Sequence, residues 1–476
     1  MLGVKQAAVE TLCMPSSLQF DVISPIDGST YCTRSYAAPD EVASKISLAQ
    51  RALPGWRAMP LAERLGVLSR FAAEMSARSA ELAREVAWQM GRPLEQADET
   101  PRLGKVIEGI GGFAEQVLGD ESFPSDATVA RYVRHVANGV QLSICAWNYP
   151  TAMIGNLVAA PLAAGNVVIF KHSPQTPTVA EIAEECFRAA GGPEGVFQSL
   201  HLSHPDAEAL IRKGTFRAVN FIGSTAGGRQ VHAAAGGTMT NVHLELGGKD
   251  AAYLRADADL DDAIPLIAEG SFSNSGQSCC SVERIYVQRP IYEEFLERLV
   301  AETRKWSVGN PLEQGHAIGP VVRQRSADFI RQQVADAVSA GARLHLDINR
   351  CEAVADDNAY VAPNVLSGLN HGMLIMREEL FGPIACVQPV EDDSEALALM
   401  NDSDYGLTGS VWTRDIETGK RLLDKVEAGT VYLNRCDHAD LYLPWGGMKN
   451  SGLGHNNGVE GLRQAATLKS FHIRNI

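Results

Sequence analysis

Two short segments hold the residues best suited to covalent chemistry: Phe272-Ser-Asn-Ser-Gly-Gln-Ser-Cys-Cys280 and Leu244-Glu-Leu-Gly-Gly-Lys249. A thiolate can form a thioester, and a carboxylate can aim water at it; two-step acyl chemistry needs both. Cys279 follows Gly276-Gln277-Ser278. Gly276 lets backbone amides crowd near the sulfur, and local dipoles lower a thiol below its free pKa of about 8.5. Its neighbour Cys280 reads as a structural buried thiol. Glu245 ends an apolar run, Val242-His-Leu-Glu-Leu246. It is either a strand-end cap or a base of raised pKa, and the presence of Cys279 favours the base.

Other segments supply auxiliary chemistry. Ala146-Trp-Asn-Tyr-Pro150 closes a strand and opens a helix at about Pro150. Asn148 there is a helix N-cap, or it shares a developing oxyanion with the Cys279 N–H. Phe221-Ile-Gly-Ser-Thr-Ala-Gly-Gly228 runs from a strand into a helix. Small residues at a helix N-terminus can cradle phosphate, although this is not a G-x-G-x-x-G fingerprint. Lys171 could reach a ribose hydroxyl or a phosphate from a strand end, or simply be solvated. Glu378-Glu-Leu-Phe-Gly-Pro383 sets a carboxylate and an aromatic before a Gly-Pro turn, and Pro444-Trp-Gly-Gly-Met-Lys-Asn-Ser-Gly-Leu-Gly454 could wrap the mouth of a site or be a surface turn.

The elements that must position these loops follow a clear rhythm. Helical runs open at Pro39-Asp40 and extend to about Leu53, and from Pro60 to about Met90, ended by Gly91. A third, broken at Pro101, runs to about Leu118. Val129–Val136 and Val140–Cys145 flank Asn138-Gly139, which predicts a hairpin with a type I′ turn; such an arm has edges that invite a partner subunit. From Leu142 the pattern is alternating βα, with strands at Leu142–Ala146, Asn166–Lys171, Val196–Leu200, Ala218–Ile222 and Val242–Leu246. A second series follows from Ala251, with strands near Arg284–Val287, Ile384–Val390, Gly409–Trp412 and Thr430–Leu433. This is the signature of α/β architecture with parallel sheets, and the boundary between the halves falls just after Gly247-Gly248.

Composition narrows the classes. A chain of 476 residues exceeds one ordinary core. A net charge of −15 argues against a general nucleic-acid or anionic-membrane surface. The nine cysteines include no C-x-x-C pair and no Cys/His cluster with zinc spacing, so no metal site is expected and the thiols read as reduced. Met1–Gln6 lacks a signal-peptide pattern. Gln141–Phe170 is free of charge, yet Asn148, Pro150, Asn156, Pro161 and Asn166 interrupt it, so it reads as a buried strand–helix–strand rather than a membrane span.

Taken in order, these segments resemble the NAD(P)-dependent aldehyde dehydrogenase superfamily, with matching motifs from Trp147 to Lys469. The resemblance implies two doubly wound parallel-sheet domains and a protruding β-hairpin oligomerisation element. Residues 1–124 and 146–246 would form the dinucleotide-binding domain, 247–440 the catalytic domain, and 125–145 with 455–476 the oligomerisation hairpin and C-terminal tail. It further implies Cys279 as nucleophile, Glu245 as general base and Asn148 as oxyanion-hole amide. Lys171, Gly223, Ser224, Trp147, Leu246, Glu379 and Phe381 would contact NAD or NADP. The expected reaction oxidises an aldehyde to the acid through a Cys279 thiohemiacetal and thioester, hydrolysed by Glu245-activated water. A cytoplasmic homodimer or homotetramer acting on a small aldehyde, without nucleic acid or membrane, completes the expectation.

Two positions depart from the family pattern. Pro174 stands where many NAD-preferring members carry a ribose-binding glutamate, which leaves NAD against NADP open. His455-Asn456 stands at the family's Arg-Glu place, so any proton relay through that glutamate needs another route. Tyr149, Met153 and Asn156 fall at helical spacing and could line one wall of a substrate tunnel, with Arg435, His438 and Trp445 on another. Arg435 would suit a carboxylate tail or pair with Asp437. A coenzyme A-acylating dehydrogenase is the nearest rival, and Glu245 argues against it because that reaction needs no water-activating base. A cysteine hydrolase would want a histidine partner motif, which none of the twelve histidines offers. A non-enzymatic structural role would tolerate loss of the thiol and carboxylate, and both are present.

Overall fold

The computed structural model describes residues 18–347 and 350–474; Cys13 and Met1–Gln6 lie outside them. Two sheets dominate. The first runs in the order Gly452–Leu453, Asn241–Glu245, Ala218–Ile222, Val140–Ile144, Val167–Lys171, Phe197–Ser199, parallel throughout except at the Gly452–Leu453 edge. The second runs Arg343–Leu344, Asn364–Ser367, Ile384–Val390, Val282–Gln288, Asp250–Leu254, Thr408–Trp412, Thr430–Leu433, with only the Arg343–Leu344 edge antiparallel. Val140–Ile144, Val167–Lys171 and Asp250–Leu254 are buried at every position. Strands covered by helices on both faces read as continuous rather than alternating apolar runs.

The chain leaves the first sheet at Glu245 and enters the second at Asp250, with Gly247-Gly248 in the link. A Cβ on Gly248 would lie 2.5 Å from the Cys279 carbonyl oxygen, and one on Gly247 would lie 2.4 Å from Glu379 Oε2. The crossing therefore threads between the two segments that carry the chemistry.

The hairpin about Asn138-Gly139 is corrected. Val129–Ala137 and Val140–Ile144 do not pair with each other. Val129–Ala137 pairs with Ala466–Arg474 along its whole length, and with Glu121–Ser122 on its other edge. Gly139, at φ 139°, donates its amide to Asn166 Oδ1 at 2.9 Å, and its carbonyl accepts the Val167 amide. These bonds feed the chain straight into the first sheet. Two parallel partners in a buried sheet outweigh a local turn preference.

Other differences are local. The run from Pro60 to Met90 is two helices, Leu61–Ala77 and Ser79–Met90, parted at Arg78 (φ −103°, ψ 18°). Pro101 lies in the first turn of Thr100–Leu118 and opens that helix rather than breaking it. After Pro150 the chain makes irregular turns and a π-type turn, Gly155–Ala159, before a short helix at Ala160–Ala163. The antiparallel pair Gln19–Ile23 and Thr30–Ser35, and the central strand Asp250–Leu254, are additional to the predicted elements. Among the described residues no helix is long and apolar enough to cross a membrane.

Candidate active site

The thiol is presented by a strained turn. Helix Leu260–Phe272 ends, and Asn274 (φ 54°), Ser275 (φ 59°) and Gly276 (φ 70°) follow in the left-handed region. For a residue with a Cβ this costs about 1–2 kcal/mol, so other contacts must hold it. Asn274 Nδ2 donates to the Asn148 and Gln277 carbonyls at 3.1 and 3.2 Å, and its Oδ1 accepts from Arg92 Nε at 3.0 Å. Ser275 Oγ donates to Gly319 O at 2.9 Å, and Gln277 Oε1 accepts the Val322 amide at 2.7 Å. Gly276 has no room for a side chain, because a Cβ would meet the Gly382 carbonyl at 2.3 Å. The outcome is a partly exposed Cys279 between buried Ser278 and Cys280. Cys280 Sγ donates to Asp437 Oδ1 at 2.8 Å.

Asn148 is 3% exposed, and its Nδ2 donates to the Gln277 carbonyl at 3.1 Å. An amide nitrogen carries two protons, so one donor remains for the cleft. Behind it lies a buried ion pair, Arg92 with Glu99. Arg92 also donates to the Asn148 carbonyl at 2.7 Å, and Glu99 Oε2 accepts the Thr151 and Ala152 amides at 2.8 and 2.7 Å. One ion pair thus fixes both the thiol turn and the turn after Asn148.

Glu245 is 5% exposed, and among the described residues its Oε2 has no hydrogen-bond partner. Burial, reinforced by Cys279, holds its carboxyl well above the usual carboxylate range. Cys279, Glu245 and Asn148 line a single cleft of about 1230 Å³.

The same cleft continues past Trp147, Leu246, Gly223, Ser224, Lys171, Glu379 and Phe381. Ser224 caps helix Thr225–Ala235, its Oγ accepting the Gly227 amide. Lys171 is 2% exposed, is in no ion pair among the described residues, and burial pushes it down to about 8. Trp147 and Phe381 meet edge-to-face at 5.6 Å. Glu379 Oε1 accepts the Gly248 amide at 3.2 Å, and burial followed by the nearby Glu283 raises Glu379 to about 8. Phe381 sits at φ 54°, held because Glu283 accepts the Leu380 and Phe381 amides while paired with the fully buried Lys249. A buried unpaired cation, a capped helix N-terminus and a carboxylate along one groove fit a dinucleotide diphosphate with its riboses.

Tyr149, Met153, Asn156, His438 and Trp445 also line the cleft. Arg435 is exposed and is not among the lining residues, whereas Arg102 is. Arg92, Glu99, Asn274, Lys249, Glu283 and Arg102 are not singled out by the sequence, and Asp437 is named there only as a partner for Arg435. For Glu283 a signal existed, since an acid inside the apolar strand Val282–Gln288 implies a buried partner.

The aldehyde dehydrogenase family profile matches residues 13–471. The chain belongs to the aldehyde dehydrogenase family. This aldehyde dehydrogenase is 34% identical to the betaine aldehyde dehydrogenase of Sinorhizobium fredii over 95% of this chain and 93% of that protein. Among solved structures, an Escherichia coli NADP-dependent enzyme superposes with a TM-score of 0.92 at 30% identity, covering 96% of this chain and 95% of the other. The Staphylococcus aureus betaine aldehyde dehydrogenase in complex with NAD+ superposes at 0.90 with 27% identity, covering 96% and 92%. The aldehyde dehydrogenase fold, and with it NAD(P)-dependent aldehyde oxidation, follows from these matches.

Proposed function

We propose that this chain oxidises an aldehyde to the free carboxylic acid by covalent catalysis at Cys279. The observation that supports it is the convergence of Cys279, Asn148 and Glu245 in the walls of one cleft. Cys279 Sγ adds to the aldehyde carbon, and the Asn148 amide with the Cys279 N–H stabilises the oxyanion. A bound dinucleotide supplies the hydride acceptor. Lys171, Gly223 and Ser224 would hold its adenosine and diphosphate end, while Trp147, Leu246, Glu379 and Phe381 would frame its nicotinamide end. The thioester left on Cys279 is hydrolysed by water from which Glu245 removes a proton. The unpartnered Glu245 Oε2 supports this role, since it is free to accept from that water.

On this reading residues 1–124 and 146–246, together with the first-sheet strand Val140–Ile144, serve the dinucleotide, 247–440 the aldehyde, and 125–139 with 455–476 assembly into a homodimer or homotetramer in the cytoplasm. An aldehyde panel assayed with NAD and with NADP tests the reaction. Free acid as product supports it, and acyl-CoA formed on adding coenzyme A would point to the acylating rival. Cys279→Ala is expected to abolish reduction of the nicotinamide, and full turnover without the thiol would refute the assignment.

A further inference from the structure

We infer that Arg102 makes this site select aldehydes that carry a carboxylate, that is ω-oxo acids, by holding the anionic tail opposite the thiol. The inference rests on the aldehyde-oxidation reading above.

Arg102 and Val106 fall one helical turn apart on Thr100–Leu118, and both line the cleft. The guanidinium is tied at one point, where NH2 donates to the Ala439 carbonyl at 2.7 Å. Ala439 packs against the cluster of Cys279, Cys280, Leu407 and Trp445, so the anchor reaches the surroundings of the thiol. Among the described residues Arg102 makes no ion pair. A guanidinium has five N–H donors in a fork that matches a carboxylate. This one therefore brings a charge and several donors to the cleft lining without a salt-bridged acid among the described residues.

The neighbouring groups agree. Asp437, on the same cleft wall, feels the Arg102 charge, but its Oδ1 accepts from Cys280 Sγ and burial lifts it to about 7, so its charge at neutral pH is incomplete. Glu269 and Asp440 act on Asp437 and His438 from the flanks without pairing with Arg102. For a cationic tail, two of the aromatic walls are already engaged. One face of Tyr149 is occupied by Arg92, whose Cζ lies 4.3 Å from the ring centroid. Trp445 is 9% exposed and packed against Cys280 and Leu407. Recognition of a quaternary ammonium needs open aromatic faces, and Arg102 would repel it as well.

Three aldehydes built on a four-carbon chain test the inference on the full chain: 4-oxobutanoate, butanal and 4-trimethylammoniobutanal, each with saturating cofactor. The wild type is expected to prefer 4-oxobutanoate over butanal in kcat/KM by about ten- to a hundredfold, the range of a charge-assisted pair. Arg102→Met should collapse the acid-to-butanal ratio towards one, chiefly through the KM for the acid. Arg102→Lys should restore part of the ratio, and Arg102→Glu should shift preference towards the ammonium aldehyde. Equal loss on all three substrates in Arg102→Met, or no wild-type preference for the acid, would overturn the inference. If the wild type oxidised no aldehyde with either cofactor, the underlying reaction would fail rather than the selectivity alone.

Discussion

At the scale of single residues, the proposed mechanism makes Glu245 set the pH behaviour. Its folded pKa is raised by burial, so the base form is lost as pH falls through that value. Single-turnover hydrolysis of the acyl-enzyme should therefore rise with pH to a plateau, and Glu245→Gln should remove the rising limb and leave a labelled acyl-enzyme in a burst. The stability linkage has a definite sign. A carboxyl with raised pKa binds its proton more tightly folded than unfolded, so its contribution to stability falls as pH rises from the unfolded to the folded value. On the proposed mechanism Asn148→Ala removes one oxyanion donor and is expected to lower kcat by about a hundred- to a thousandfold, with thermal stability as the control for folding.

At the scale of elements, the thiol turn and the Glu379–Phe381 loop are each held by a buried ion pair. Removing one partner of such a pair costs about 3–5 kcal/mol because the other charge is left uncompensated. Lys249→Met should thus lower the urea midpoint and weaken cofactor binding together, since Glu283 also fixes the Leu380 and Phe381 amides. Gly276→Ala should be destabilising through both its positive φ and the clash with Gly382, read as a drop in melting temperature.

Legibility at this scale followed the physics. Ala218–Ile222, Ile384–Val390 and Thr430–Leu433 were readable to the residue because apolar runs between turn signals define buried strands. Cys279, Glu245 and Asn148 stood out because their side chains break the pattern around them. The Arg92–Glu99–Asn274 network did not, since its members lie far apart in sequence and only the fold makes them neighbours. Asn138-Gly139 misled for the complementary reason: a local turn preference was decisive on paper and subordinate to sheet pairing in three dimensions.

At the scale of the whole molecule, Ala466–Arg474 shields one full edge of Val129–Ala137. Deleting residues 466–474 would leave an unpaired edge, and such edges template association. Increased light scattering at unchanged activity per folded molecule is the expected result, and a monodisperse truncated protein would contradict it.

The Gly247-Gly248 crossing has a mechanical consequence. The carboxylate ends a strand of the first sheet, the sulfur sits on the turn leading into Val282–Gln288 of the second, and the Gly247-Gly248 crossing between those sheets runs past the Cys279 carbonyl and Glu379. Splaying the two layers by a fraction of an ångström would detune acylation, hydrolysis and cofactor seating at once, long before either layer melts. Heating should accordingly silence the enzyme several degrees below the temperature at which its helices disappear.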